Sequence, residues 1–185
     1  MFKEYILGRN YHQRSENVGS IVQKIERDFP GVNTANTRIE TDFESFLRFK
    51  ADLLLDIVEG GHTWTIRYKP GVIRWPASQT VSQKPNRIAV YFPDPESDNW
   101  VEVGSITIPR MAVGHVRDWP AKHESVAGSG WRSKKQMVEG ISDIYEPIYG
   151  NRLTPSDILV AYGLQNFKFK FPELVDEYKI LFIKK

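Results

Sequence analysis

The first regular spacing of apolar residues runs from Ser15 to Phe29, where Val18, Ile21, Val22, Ile25 and Phe29 recur every three or four positions. That period predicts an amphipathic helix, with Ser15 as its N-cap and Pro30-Gly31 as its stop. A polar connector follows from Asn33 to Thr37. Between Thr41 and Glu59 two periods overlap: Phe43, Phe46, Leu47, Leu54 and Ile57 suit a helix, whereas Phe49, Ala51, Leu53, Leu55 and Ile57 alternate as in a half-buried strand. A helix that becomes a strand near Lys50 satisfies both.

From Gly60 to Pro109 the pattern changes to a period of two. Trp64, Ile66 and Tyr68 alternate with Thr63, Thr65 and Arg67, and Lys69-Pro70-Gly71 supplies a turn, which predicts Val72 to Trp75 as the returning strand. Arg87 to Phe92 and Asn99 to Ile108 form a second expected pair, joined across Pro93-Asp94-Pro95-Glu96-Ser97-Asp98. Ser133 to Glu146 presents Met137, Ile141, Ile144 and Tyr145 at helical spacing, with Pro147 as the expected end. Thr154-Pro155-Ser156-Asp157 resembles a capped helix start, for a short helix ending near Gly163. Phe167, Phe169 and Phe171, then Tyr178, Ile180 and Phe182, alternate as a closing strand. The expected class is α+β: an antiparallel β-meander of four or more strands flanked by three to four helices.

With 185 residues, 41% hydrophobic and 26% charged, the chain fits a single domain over residues 1–185. Within it the pattern separates a helical part at about 15–59, a strand-rich middle at about 60–109, a basic loop at 110–132 and a helix-helix-strand part at 133–185. A net charge of +2 implies no polyanionic partner by itself, so only local clustering of charge carries information. The absence of cysteine removes disulfides, thiol nucleophiles and cysteine-containing zinc sites. Lys3 and Glu4 interrupt what would be the apolar part of a secretory signal, and Asp52 and Asp56 bracket the most apolar run, Leu53-Leu54-Leu55. The expectation is a protein of the cytoplasm, or of a host cytoplasm or virion, without a membrane partner.

The densest cluster of charge and aromatics lies between Arg110 and Met137. It gathers Arg110, Arg117, Lys122, Arg132, Lys134 and Lys135 with Trp119, Trp131, His115 and His123, and Pro120 and Gly128-Ser129-Gly130 predict an irregular surface there. Lys122, Arg132, Lys134 and Lys135 are candidates for anion or nucleic-acid contact, because glycines and cations precede a helix N-terminus. The lysine spacing is not that of a phosphate-binding loop of the GxxxxGK type. Trp119, Trp131 and Arg117 are candidates for gripping a protein partner. On the strands, Arg67, Arg74 and Arg87 accompany Trp64, Tyr68, Trp75 and Tyr91, a composition that would suit stacking of bases if the rings faced outward.

No residue qualifies as catalytic by motif, and no metal or cofactor is expected. His12, His62, His115 and His123 lack metal-ligand spacing, and His62 beside Gly60-Gly61 reads as a turn residue. His123-Glu124-Ser125 offers base, acid and hydroxyl, but consecutive residues rarely converge on one atom. The acid groups Glu40 with Asp42 and Glu44, Asp52 with Asp56, and Asp94 with Glu96 and Asp98 read as solvated faces. The acid-x-lysine of metal-dependent nucleases occurs at Glu177-Tyr178-Lys179, at the opening of the expected last strand. Three function classes follow. The first is a non-enzymatic structural or assembly subunit that packs against itself or other proteins, as in a phage or viral head-tail connector or tail component. The alternative is a nucleic-acid-binding accessory protein using the 110–137 tract, and the third is an enzyme without a recognisable motif.

Overall fold

One long strand organises the molecule. In the computed structural model, which describes residues 1–6, 18–30, 37–40, 46–74, 87–94 and 97–183, β7 (Trp100–His115) is flanked along one edge by β8 (Ile158–Phe169). Its other edge is divided. The first half of β7 pairs with β6 (Arg87–Pro93), and the second half pairs with β1 (Phe2–Ile6), all of them antiparallel. β3 (Phe46–Arg48) adds parallel to β6, and β4 (Trp64–Arg67) adds antiparallel to β8, giving the order β3-β6-β7-β8-β4 with β1 beside β7. A separate parallel pair joins β2 (Arg38–Glu40) to β5 (Val72–Arg74).

Helices cover both faces of the main sheet. On one face α1 (Val18–Asp28), α2 (Ala51–Val58) and α5 (Val175–Ile183) contribute Ile25, Leu54, Ile57 and Tyr178 to a core with Val103, Ile106, Val113, Val160 and Tyr162. On the other face α3 (Glu124–Gly128) and α4 (Lys134–Tyr149) contribute Val126, Met137 and Ile141 to a core with Trp64, Ile66, Ala112, Leu159 and Ala161. Leu159, Val160, Ala161 and Tyr162 alternate between the two cores, as successive side chains of a strand must. Among the described residues no helix is long and apolar enough to cross a membrane.

The α+β class holds, but the sheet is mixed and the described residues form five helices, so the expected antiparallel meander is incomplete. The β6–β7 pair forms as predicted. The turn at Lys69-Pro70-Gly71 also closes, with Val72 N–H on the Lys69 carbonyl at 3.1 Å. Its two strands then part, β4 joining the main sheet and β5 the small one. Around Lys50 the order is the reverse of the expectation, strand first and helix second. Leu47 and Phe49 carry the strand alternation, while Leu54 and Ile57 share the buried side of α2 and Asp52 sits in its first turn, near the positive dipole end.

Three C-terminal expectations change as well. Asp157 starts a strand instead of a helix: its carboxylate accepts from Thr154 N–H at 2.6 Å and from the Thr154 hydroxyl at 2.8 Å, closing a turn. The near-continuous apolar run from Ile158 to Leu164 then suits a strand buried on both faces between β7 and β4. The closing segment is a helix, with Leu174 and Tyr178 four residues apart against the core. Pro147 does not end α4, which runs to Tyr149 and is capped by left-handed Gly150. In the last turn the missing N–H of Pro147 costs only the helical donor to residue 143, on the exposed side. Ser15, Gly31, Asn33 to Asn36, Asp42, Glu44, Trp75 and Glu96 lie outside the described residues.

A candidate anion-binding cavity

A cavity of about 370 Å³ opens beside the α1-α2-α5 face of the sheet, where the small β2–β5 pair meets the end of α4. Leu47 and Arg48 come from β3, Arg67 from β4, and Tyr68 and Lys69 from the turn that follows. Val72 and Arg74 come from β5, and Tyr145 and Tyr149 from the last turns of α4. Ile88, Ile108, Val160 and Tyr162 of the main sheet supply the remaining wall. The volume lies in the lower part of the range of small-molecule sites, roughly 300–1,000 Å³.

Among the described residues four cations and four tyrosines line this space, and no carboxylate does. Tyr145 and Tyr149 stack with ring centroids 5.9 Å apart and planes at 13°, and Tyr68 meets both edge-on. The spacing of four residues on one helix brings the stacked pair together. Tyr68 donates to Asp157 Oδ1 at 3.1 Å, and Tyr162 donates to the Arg74 carbonyl at 2.8 Å. Burial, and for Tyr68 the neighbouring Asp157, push these phenols upward, Tyr68 to about 12. They are therefore neutral at physiological pH, and the charge of the cavity comes from its cations.

Arg67 has an unusual position. Its guanidinium lies 5.0 Å from the Phe49 ring centroid and donates Nη2 to the Arg48 carbonyl at 2.9 Å, while its buried Nε has no acceptor among the described residues. It makes no ion pair with a described carboxylate. Lys69 and Arg74 do have one: Glu40, largely buried on β2, accepts from Lys69 at 3.1 Å, Arg74 at 2.8 Å and Arg38 at 2.9 Å. Burial alone would raise the Glu40 carboxyl, but hydrogen bonds from Arg74, Lys69 and Arg38 outweigh it and hold the group at about 2. The strand pairing places Glu40 directly opposite Arg74.

The 110–137 tract is more ordered than its sequence predicts. Residues 110–115 finish β7, a 3-10 turn occupies Val116–Asp118, and α3 fills Glu124–Gly128. Trp119 is a core residue, 1% exposed, and its indole N–H donates to Ser125 Oγ at 3.1 Å, so it offers no surface for a partner. Half-buried Trp131 packs its ring on Gly140 of α4, where a Cβ would fall 2.3 Å from Trp131 Cη2. Arg117 is exposed beside Asp118 at 3.6 Å. Arg110 is engaged by Glu4 and Glu124. Lys134 donates to the Arg117 carbonyl at 2.9 Å and Lys135 faces Glu139 at 3.9 Å, while Lys122 and Arg132 are exposed. The glycines serve packing and turning: a Cβ on Gly128 would meet Thr63 Oγ1 at 2.6 Å and Trp64 at 2.7 Å, and Gly130 has φ of +83°.

His123 finds the acid that its own neighbourhood did not supply. Its Nε2 lies 3.0 Å from Glu4 Oε2, and its Nδ1 lies 2.7 Å from Ser125 Oγ and accepts Ser125 N–H at 3.2 Å. With Nδ1 accepting, the ring proton sits on Nε2 and donates to Glu4. Carboxylate, imidazole and hydroxyl thus follow the order that activates a nucleophilic serine. Ser125 is 0% exposed, however, and its oxygen already accepts from Trp119. The arrangement is an N-cap for α3 and a tie to β1, closed to any substrate.

Other sequence candidates disperse. His62 is buried after α2, donates its N–H to the Asp56 carbonyl at 3.1 Å, and burial lowers its pKa. No group of three or more His, Asp or Glu among the described residues could hold a metal ion. Glu177-Tyr178-Lys179 lies on α5, so it is not the strand-borne motif of a nuclease. Of the strand residues noted in the sequence, Arg67, Arg74 and Tyr68 reach the cavity, whereas Trp64 is core. Arg48 and Tyr149 are not among the sequence candidates, and Lys69 and Tyr145 figure there only as a turn residue and an apolar helix position. A four-residue tyrosine spacing ahead of a helix-ending Gly150 was the available signal. Compared with family models, with curated proteins and with solved structures, the chain has no match.

Proposed function

We propose that the protein is a binding module for a small anionic ligand that carries a flat ring, held in the cavity between β5 and the end of α4. The observation that carries this reading is Arg67, a guanidinium in the cavity wall whose buried Nε has no acceptor and which has no carboxylate partner among the described residues. A buried donor left unpaired costs about 1–3 kcal/mol, and a charge so placed favours an incoming anion. Arg48 adds a second cation, and the three clustered tyrosines give a planar group an aromatic surface. Among the described residues the cavity wall holds cations and rings but no carboxylate, which supports a binding role.

Phenyl phosphate is the simplest probe that combines both features. Calorimetric titration at low salt should detect its binding to the wild-type protein, and Arg67→Gln should weaken it at least tenfold with the fold intact by circular dichroism. Equal affinity in the two proteins would remove Arg67, and with it this reading. A second reading, assembly with itself or with other proteins, is supported by Ile144 and Ile148, one turn apart on α4 and 52% and 63% exposed. Ile148→Lys should then abolish any concentration-dependent rise in mass by light scattering. A wild-type protein that stays monomeric at millimolar concentration would count against assembly with itself.

A further inference from the structure

We infer that Glu40 is a built-in competitor for the ligand's anionic group, and that it makes the cavity selective for dianions, such as phosphate monoesters, over monocarboxylates. The inference rests on the binding role proposed above. Lys69 and Arg74 line the cavity, yet both already donate to one carboxylate, at 3.1 and 2.8 Å. Any anion that enters must draw on cations that Glu40 holds. A monocarboxylate offers those cations nothing that Glu40 does not, and Glu40 is tethered by the β2–β5 pairing with its carboxylate opposite Arg74. A phosphate monoester brings a second negative charge and three acceptor oxygens, enough to engage Arg67 while recruiting Arg74 and Lys69. Arg38, also bonded to Glu40 at 2.9 Å, stays with the carboxylate when the other two turn toward the ligand.

Phenyl phosphate and benzoate present the same ring with different charge, so their comparison isolates the anion. Wild-type protein should prefer phenyl phosphate by tenfold or more. Glu40→Gln should tighten benzoate by roughly tenfold, the effect of one partly screened charge, and phenyl phosphate by less, so that the preference narrows. Glu40→Asp keeps the charge and should retain the wild-type preference. Should Glu40→Gln fail to fold, the wild-type protein still gives an answer: the side-chain carboxyl carbon-13 resonance of Glu40 should shift on saturation with phenyl phosphate. Unchanged affinities in Glu40→Gln, or an unmoved Glu40 resonance at saturation, overturn the competitor role while leaving the cavity as the binding site. Binding of neither probe by wild type or variant overturns both.

Discussion

Gly104→Ala should be among the most damaging single-methyl additions to the protein. Gly104 lies within β7 opposite Phe169 of β8 and Val90 of β6, beside the register shift at Val90/Tyr91. A Cβ there would stand 2.2 Å from the Lys168 carbonyl oxygen and 2.8 Å from Phe167 Cζ. The phenyl ring can rotate, but the carbonyl is backbone, so relief requires β8 to move about 1 Å away from β7. Such overpacking costs about 1–3 kcal/mol. Strain on the neighbouring ladder, including the 2.9 Å bond from Lys170 N–H to the Val103 carbonyl, adds about 1 kcal/mol per bond lost. Lower unfolded-chain entropy returns about 0.5–1 kcal/mol, leaving a net loss of about 1–3.5 kcal/mol when one such bond is lost. For a chain of this length each kcal/mol lowers Tm by about 2–4 °C, so scanning calorimetry should show a fall of roughly 2–14 °C. Gly61→Ala is the control, since its nearest neighbour, the Asp56 carbonyl, is 3.7 Å away and stability should change by less than about 0.5 kcal/mol. A Gly104→Ala protein that melts within about 1 °C of wild type would show that β7 and β8 do not approach as described.

Three further outcomes are expected. Glu40 has a folded pKa of about 2 against an ordinary 4.5, so its contribution is complete above about pH 4.5 and is lost as pH falls through 2. Screening of its exposed partners limits that contribution to about 1–2 kcal/mol, and urea titrations of Glu40→Gln and wild type should differ by this amount at pH 7 and converge near pH 2. Ser125→Ala leaves the buried Trp119 indole N–H without its acceptor and should cost about 1–3 kcal/mol in chemical denaturation, while the wild-type protein should not react with a serine-directed fluorophosphonate. Gly140→Ala should drive the Trp131 ring off α4 and red-shift tryptophan emission, with stability changing by less than about 1 kcal/mol because the gain in helix propensity opposes the lost contact.

Elements whose pattern was set by local burial were legible in the sequence: α1, the β6–β7 pair, and α4, expected at Ser133 to Glu146 and found at Lys134–Tyr149. The misread segments are those in which tertiary partners decide. Ile158 to Leu164 is apolar at nearly every position, which carries no period, and the cap-like Thr154-Pro155-Ser156-Asp157 tipped the expectation toward a helix. Thr41 to Glu59 carried both periods, and composition alone could not say which half would be the strand. The cavity was hidden for a different reason. Its cations come from β3, β4, the turn after it and β5, and its ring pair comes from α4, so no continuous motif exists to find. In the same way Glu4 and His123 are brought together only by β1 settling against β7.

The divided edge of β7 sets a timetable for folding. β1 leaves the ribosome roughly a hundred residues before the segment it pairs with, Arg110 to Gly114, so it must remain unpaired while much of the chain is made. Until it docks, Met111, Ala112 and Val113 offer an open, apolar strand edge that a neighbouring nascent chain could occupy. This seam is therefore a point at which expression temperature and synthesis rate should decide between soluble protein and aggregate.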